Sequence, residues 1–348
     1  MRGTEGAEFE RRLGRRPGPG EASEGAVGAP SDGIDAVAVL GPGRIGRQIA
    51  LACALGGCRV RLVDLKPRPA ARAALDDARR EIARDLRLMV EEGLVGDAEA
   101  AAALARVEDG LGLDGVERAA FVQEALPEVP ALKREVFGRL RGRLKPEAIL
   151  ASTSSTISPR HLADAVDGPH RFLVAHWLNP AHVIPLVEVV PGAATEEAVV
   201  ERTLAFLTRL GKVPVRCADS PGFIGSRLQV LLMNEAVRLV EEGVASAEDI
   251  DRAVRAGLGF RYATVGVFEF IDWGGVDVLH RAGHFMTQAT GEGRYRPPRL
   301  VEDKVARGEL GPRTGRGFYD YPGDERERFE TAGLRRLLRR LRREREES

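Results

Sequence analysis

Residues 36–64 read AVAVLGPGRIGRQIALACALGGCRVRLVD. Ala36–Leu40 is a short continuous apolar run, the pattern of a strand buried on both faces. A glycine-rich turn follows, and IGRQIALACALGG reads as a helix stopped by Gly56-Gly57. Arg59–Val63 is a second apolar strand, closed by Asp64. Strand, turn, helix and strand within about 30 residues make a βαβ unit, whose two strands are parallel and whose crossover is right-handed.

The turn itself is Gly41-Pro42-Gly43-Arg44-Ile45-Gly46. A lone GxGxxG carries little information, but this one leaves a strand and opens a helix. Gly41 permits the tight turn, Gly43 lets backbone approach a pyrophosphate, and Gly46 lets helix and strand pack closely. The helix start, with Arg44 and Ile45, presents unpaired N–H groups and the positive end of the helix dipole to the phosphates. Asp64 can accept hydrogen bonds from ribose hydroxyls and would repel a 2′-phosphate, so the expected cofactor is NAD rather than NADP. Lys66 and Arg68 nearby count the other way.

Outward from this unit, strand candidates recur at Phe121–Gln123, Ala148–Ala151, Phe172–Ala175, Leu186–Val190 and Val213–Arg216. Helical patterns lie between them at 70–106 and Leu132–Leu144. The alternation predicts a Rossmann-type, doubly wound α/β domain over residues 34–218. From 219 to 322 the periodicity is helical, with helices at Ile224–Gly243 and Ser246–Leu258, the latter capped by Ser246. This segment is expected to be a smaller all-helical domain for substrate and dimerisation. Residues 323–348 form a charged tail in which Leu334, Leu337, Leu338 and Leu341 are spaced for one helical face; a solvated tail is the competing reading. Residues 1–33 have almost no bulky apolar side chains and are expected to be a disordered extension.

The chain has 348 residues, 43% hydrophobic and 30% charged, with 52 basic and 52 acidic side chains. That balance suits a globular protein and gives no global field for nucleic acid or an acidic membrane. No run is long enough to span a bilayer. The three cysteines, Cys53, Cys58 and Cys217, form no CxxC pair, which argues against a disulfide framework and a cysteine-based metal site and fits a reducing cytoplasm; no metal is expected.

Five further motifs occur in order: EALPE (124–128), ASTSST (151–156), VAHWLNPAHVIPLVEVV (174–190), DSPGFIGSRL (219–228) and GPRTGRGFYDY (311–321). Together they resemble the 3-hydroxyacyl-CoA dehydrogenase family over roughly residues 34–321. The resemblance implies a homodimeric oxidoreductase of fatty acid metabolism that converts a secondary alcohol to a ketone. It implies His176 as catalytic base, Glu188 as its partner, and Ser155 and Asn179 as catalytic site residues. It puts Glu124 beside the nicotinamide end of the cofactor and matches Lys133 to a frequent Lys in the helix that follows. Several positions depart from the acyl-CoA pattern: Ser226 replaces an Asn that binds the substrate carbonyl, Thr153 replaces another Asn, and Trp177-Leu178 replace two Phe. GLGFRYATVGVFEF (257–270) is similar to the branch containing lambda-crystallin (gulonate dehydrogenase), carnitine dehydrogenase and a pyridine-carboxylate alcohol dehydrogenase.

The residue types suit the chemistry independently. Oxidising an alcohol removes a proton and a hydride; the cofactor takes the hydride, and a His is the natural base near neutral pH. Glu188, a carboxylate inside an apolar strand, needs a partner because burying an unpaired charge is costly. Ser155 can hydrogen-bond the reacting oxygen; its hydroxyl neighbours Thr153, Ser154 and Thr156 are alternatives, as His182 is to His176. The small-molecule substrate is expected to be an acyl-CoA, with a small non-CoA 3-hydroxy acid as the close alternative. The competing class is a dinucleotide-binding protein without turnover.

Overall fold

The computed structural model describes residues 32–65 and 72–346. Most of the N-terminal extension, Lys66 and Arg68 lie outside the described residues. The described chain divides into two compact units between Asn234 and Glu235.

The first unit is built on an eight-stranded sheet: β1 Ala36–Leu40, β2 Arg59–Asp64, β3 Val107–Leu111, β4 Phe121–Glu124, β5 Ile149–Ser152, β6 Phe172–Trp177, β7 Leu186–Pro191 and β8 Val213–Arg216. The spatial order is 3-2-1-4-5-6-7-8. All neighbours are parallel except β6 and β7, which run antiparallel. The helices are α1 Arg44–Leu55, α2 Ala73–Glu91, α3 Asp97–Ala105, α4 Pro130–Leu140 and α5 Glu197–Arg209. One apolar cluster joins α1, α2 and α5 to one face of the sheet, and a second joins α4 to β1, β4 and β5. Covering both faces explains why the inner strands are continuous apolar runs rather than alternating ones.

β3 was not foreseen. Its sequence, VEDGL, is charged, and only Val107 and Gly110 are buried. It lies at the sheet edge and is defined by its ladder with β2 rather than by any pattern of its own.

The strand order reverses between β1 and β4, so a crevice opens beyond their carboxyl ends. Gly41 follows β1, Asp64 ends β2, Glu124 ends β4, the STSST segment follows β5, and His176 lies near the end of β6. Because β7 is antiparallel, its opening residues return to this same edge, placing Glu188 opposite His176.

The helix α6, Gly225–Glu241, spans the division between the units. The second unit continues with α7 Ala247–Ala253, capped by the Ser246 hydroxyl on the Asp249 N–H, and a π-helical turn at Val254–Gly259. It goes on through α8 Val267–Gly274, α9 Val276–Thr290, α10 Arg299–Ala306 and α11 Glu325–Glu346. Asp272, buried on α8, accepts the Phe318 and Tyr319 N–H groups (2.8 and 2.9 Å) and the Tyr321 hydroxyl (2.9 Å), anchoring the GFYDY motif. The charged tail is helical: Gly333 of α11 lies against the Trp273 ring, where a Cβ would come within 2.8 Å, and Arg336 pairs with Glu269 at 3.1 Å.

Candidate active site

The glycine turn has the geometry its spacing implies. Gly41 has φ +108°, and a Cβ there would lie 2.8 Å from the Ala125 carbonyl oxygen. At Gly46 a Cβ would fall 1.9 Å from the Gly41 oxygen, so turn and helix close only without side chains. Gly43 differs: it has φ −68° as the N-cap of α1, and a Cβ there would meet nothing within 4 Å. Protein contacts therefore do not account for its being glycine, whereas close approach of a phosphate does. The first turn of α1 has no acidic residue and no side-chain cap, so its N–H groups stay available to an anion. Arg44 is exposed at the helix start, with half-buried Ile45 beside it.

Asp64 is buried at the end of β2 and shares a concavity of about 320 Å³ with Gly41, Gly43, Leu126, Pro127, Leu132 and Val136. Leu126 and Ile45 line a second, larger cleft of about 720 Å³ with Glu128, Ser155, His176, Asn179, Ser226 and Gln229. Leu126 borders both hollows, so together they form a trough from Asp64, past the glycine turn, to His176. These residues fit an NAD molecule: an acid for the ribose, apolar walls for the adenine, and glycine backbone for the pyrophosphate.

His176 is 7% exposed and Glu188 0%. They are opposite residues across the β6–β7 ladder, and His176 Nδ1 lies 2.7 Å from Glu188 Oε2. The other carboxylate oxygen accepts the Ile224 and Gly225 N–H groups at 2.7 and 2.8 Å, at the opening of α6. Burial alone would raise the Glu188 pKa, but the His176 bond and then these two N–H groups outweigh it and hold the carboxyl below its usual range. An ionised carboxylate only accepts hydrogen bonds, so Nδ1 carries the proton. In the neutral form of such a ring the lone pair sits on Nε2.

The chain enters α6 through Phe223, whose φ of +48° is costly for a bulky side chain, about 1 kcal/mol or more. Packing offsets that cost: the ring is buried with Val174 and Val190, its centroid 5.7 Å from that of His176. Gly225 is equally constrained, since a Cβ would lie 3.3 Å from Glu188 Oε2. The turn after Phe223 thus aims the Ile224 and Gly225 amides at a carboxylate, a role these residues did not reveal in sequence.

The structure brings Ser155, Asn179 and Ser226 to the cleft with His176. Of the hydroxyl alternatives, Ser154 is turned to Glu128, whereas Thr153 also lines the cleft and accepts the Trp177 N–H at 3.3 Å. His182 does not line the cleft; it faces Asp85 of α2 at 3.8 Å, and burial lowers its pKa. Glu124 and Lys133, expected at the cofactor, are both 0% exposed and form a buried ion pair at 2.7 Å. Glu124 accepts Lys133 Nζ (2.7 and 2.9 Å), Ser152 Oγ (2.5 Å) and the Leu126 N–H (2.6 Å), which fills its acceptor sites.

Glu128, in the same motif, reaches the cleft. Its Oε1 accepts the Ser154 hydroxyl, the Ser155 and Thr156 N–H groups (3.1 and 3.0 Å) and the Thr156 hydroxyl (2.9 Å). Burial would raise its pKa, but the Ser154 hydroxyl, Lys133 and the Thr156 bonds bring it down to about 2. Sequence reading noted this residue and gave it no role; the three hydroxyl residues Ser154, Ser155 and Thr156 all bond to it.

Two family models describe almost all of the folded chain. The NAD-binding domain of 3-hydroxyacyl-CoA dehydrogenase matches residues 36–220, and the C-terminal domain of the same enzyme matches 222–321. A 3-hydroxybutyryl-CoA dehydrogenase of Mycobacterium tuberculosis is 37% identical over 84% of this chain and 100% of its own length. The crystal structure of an Archaeoglobus fulgidus 3-hydroxyacyl-CoA dehydrogenase superposes with a TM-score of 0.71 at 31% identity, covering 88% of this chain and 98% of that one. An NAD-dependent 5-formyl-3-hydroxy-2-methylpyridine 4-carboxylic acid 5-dehydrogenase superposes with a TM-score of 0.67 at 28% identity, with the same coverage. The glycine turn, the trough and both halves of the chain thus lead to one conclusion: the protein belongs to the 3-hydroxyacyl-CoA dehydrogenase family and is an NAD-dependent oxidoreductase.

Proposed function

We propose that the protein oxidises the 3-hydroxyl of a 3-hydroxyacyl-CoA to the ketone, with His176 as general base. The observation that carries this reading is the His176–Glu188 pair: a buried carboxylate fixes one ring nitrogen, and the ring borders a cleft shared with Ser155, Asn179 and Ser226. Bound NAD supplies the hydride acceptor. Nε2 of His176 takes the hydroxyl proton, and Glu188 stabilises the imidazolium that results. Ser155 and Asn179 offer hydrogen bonds to the reacting oxygen as its charge changes. Glu128, holding the Ser154–Thr156 backbone, sets where Ser155 stands, while Glu124 and Lys133 act as positioning residues.

Ser226 supports a second reading, in which the substrate is a small non-CoA hydroxy acid or alcohol. A serine there has a shorter reach than the asparagine of acyl-CoA relatives, and the similarity to a pyridine-carboxylate dehydrogenase supports this reading. A substrate panel decides: CoA thioesters and free hydroxy acids, each with NAD and NADP, followed by absorbance of the reduced cofactor. Turnover of thioesters alone supports the first reading. In either case His176→Gln is expected to lower kcat by roughly 10²–10⁴-fold while NAD affinity holds within a few-fold. Loss of NAD binding with unchanged chemistry would contradict the assignment of His176.

A homodimer fits the exposed apolar residues of α6, among them Leu228, Leu231, Leu232, Met233 and Val237. A reducing, cytoplasmic location fits three cysteines that are all free. No helix among the described residues is long and apolar enough to cross a membrane.

A further inference from the structure

We propose that the second unit carries a binding site for one divalent transition-metal ion, Zn²⁺ by preference, formed by His280, His284 and Glu302. None of these residues has a part in the dehydrogenase reading, and sequence analysis expected no metal. His280 and His284 are four apart on α9, so they project from one face of the helix, and their ring centroids are 4.5 Å apart. Glu302, on α10, gives one carboxylate oxygen to each ring: Oε2 lies 2.6 Å from His280 Nε2 and Oε1 2.9 Å from His284 Nε2. One ligand atom from each of the three lies within 4.8 Å of the others.

That triangle is close to what a tetrahedral zinc ion requires, since bonds of about 2.0–2.2 Å imply ligand separations near 3.3 Å. Small rotations of exposed side chains bridge the difference. Two imidazole nitrogens and a carboxylate oxygen suit a borderline-soft cation; Mg²⁺ and Ca²⁺ favour all-oxygen sets. The side chains of His284 and Glu302 are 52% and 40% exposed, which leaves an entry path and room for water as a fourth ligand.

The scaffold is firm where the site needs it. Gly283, between the two histidines, has no space for a Cβ, which would fall 2.8 Å from both Pro297 Cγ and the Tyr295 carbonyl oxygen. That contact seats α9 against the segment leading into α10. The nearest arginines in sequence are occupied: Arg281 pairs with Asp277 at 2.7 Å and Arg299 with Asp303 at 3.7 Å. In the metal-free chain Glu302 accepts from both rings, and those contacts keep its pKa low. A bound ion would replace the two N–H···O contacts with three coordination bonds and tie α9 to α10. Because the unfolded chain lacks this arrangement, the ion would stabilise the fold.

The test uses untagged full-length protein, stripped with chelator and desalted, then titrated calorimetrically with ZnCl₂. The expected result is one saturable equivalent per chain and a rise in Tm of roughly 5 °C with excess zinc. His284→Ala and Glu302→Gln should each weaken binding by about 100-fold or more, whereas His176→Gln leaves it unchanged. Melting in chelator verifies that each variant is folded, and two independent variants guard against the failure of one. No saturable uptake, uptake that neither variant weakens, or equal uptake of Mg²⁺ would overturn the proposal. The pair of contacts would then be an ordinary His–Glu ion pair.

Discussion

Glu188 and Glu124 are both fully buried carboxylates at the same edge of the sheet; Glu188 accepts two backbone N–H groups and Glu124 one. They differ in the remaining partner. Glu124 is closed off by Lys133, itself 0% exposed, and by Ser152 beside it. Glu188 is paired with a histidine whose ring borders a cleft of about 720 Å³. What a buried acid does is therefore set by what its partner can touch. The first pair is enclosed; the second borders an open cleft through the histidine ring.

Replacing Glu188 by Gln separates chemistry from packing and carries the largest expected effect. The Gln oxygen still accepts the Ile224 and Gly225 N–H groups, but its NH₂ now donates to His176 Nδ1. The imidazole must take the other tautomer, with its proton on Nε2, and cannot act as a base. The expected outcome is a fall in kcat of about 10²–10⁴-fold with NAD affinity nearly constant. Activity within threefold of wild type would remove Glu188 from the mechanism.

Lys133→Met makes the opposite prediction. It leaves Glu124 charged and unpaired in the core, a change that costs about 3–5 kcal/mol of stability. The kcat of the molecules that remain folded, measured well below Tm, should stay within a few-fold. Adding Glu124→Gln should restore part of the lost stability, because the double variant buries no lone charge. If kcat collapses while Tm holds, the two pairs are not different in kind, and the expected cofactor contact of Glu124 is supported.

The glycine turn and its flanking strands were legible because each is local: apolar run, Gly spacing and acid stand within one βαβ unit. β3 was not, since VEDGL has no apolar pattern and is a strand only through its neighbour. The identity of His176 and Glu188 was readable as motif, but their contact depends on β7 running antiparallel, which no residue pattern announces. Glu124 and Glu128 sit four apart in one motif, and sequence alone does not say which of them is fully buried. Burial separates them, and burial is a property of the assembled sheet. His280 and His284 display their helical spacing openly, but Glu302 joins them only by the packing of α9 and α10.

Glu128 lies between the two extremes, half-buried and pinning the Ser154–Thr156 backbone, and gives the smallest predicted effect. Its pKa of about 2 in the folded chain lies below the usual value of 4.5, so as pH falls the unfolded chain takes up this proton first. The stabilisation from Glu128 is thus complete above about pH 4.5 and is lost as pH falls towards 2. Its side chain is 35% exposed, so solvent screening reduces the effect. Urea midpoints of wild type and Glu128→Gln should differ at pH 7, with the variant less stable, and converge as pH falls from 4.5 towards 2. A constant gap across that window would mean that the acid holds the hydroxyl segment by shape rather than by charge. KM for the alcohol substrate should rise in the variant even at pH 7, because Ser155 is no longer held where the cleft presents it.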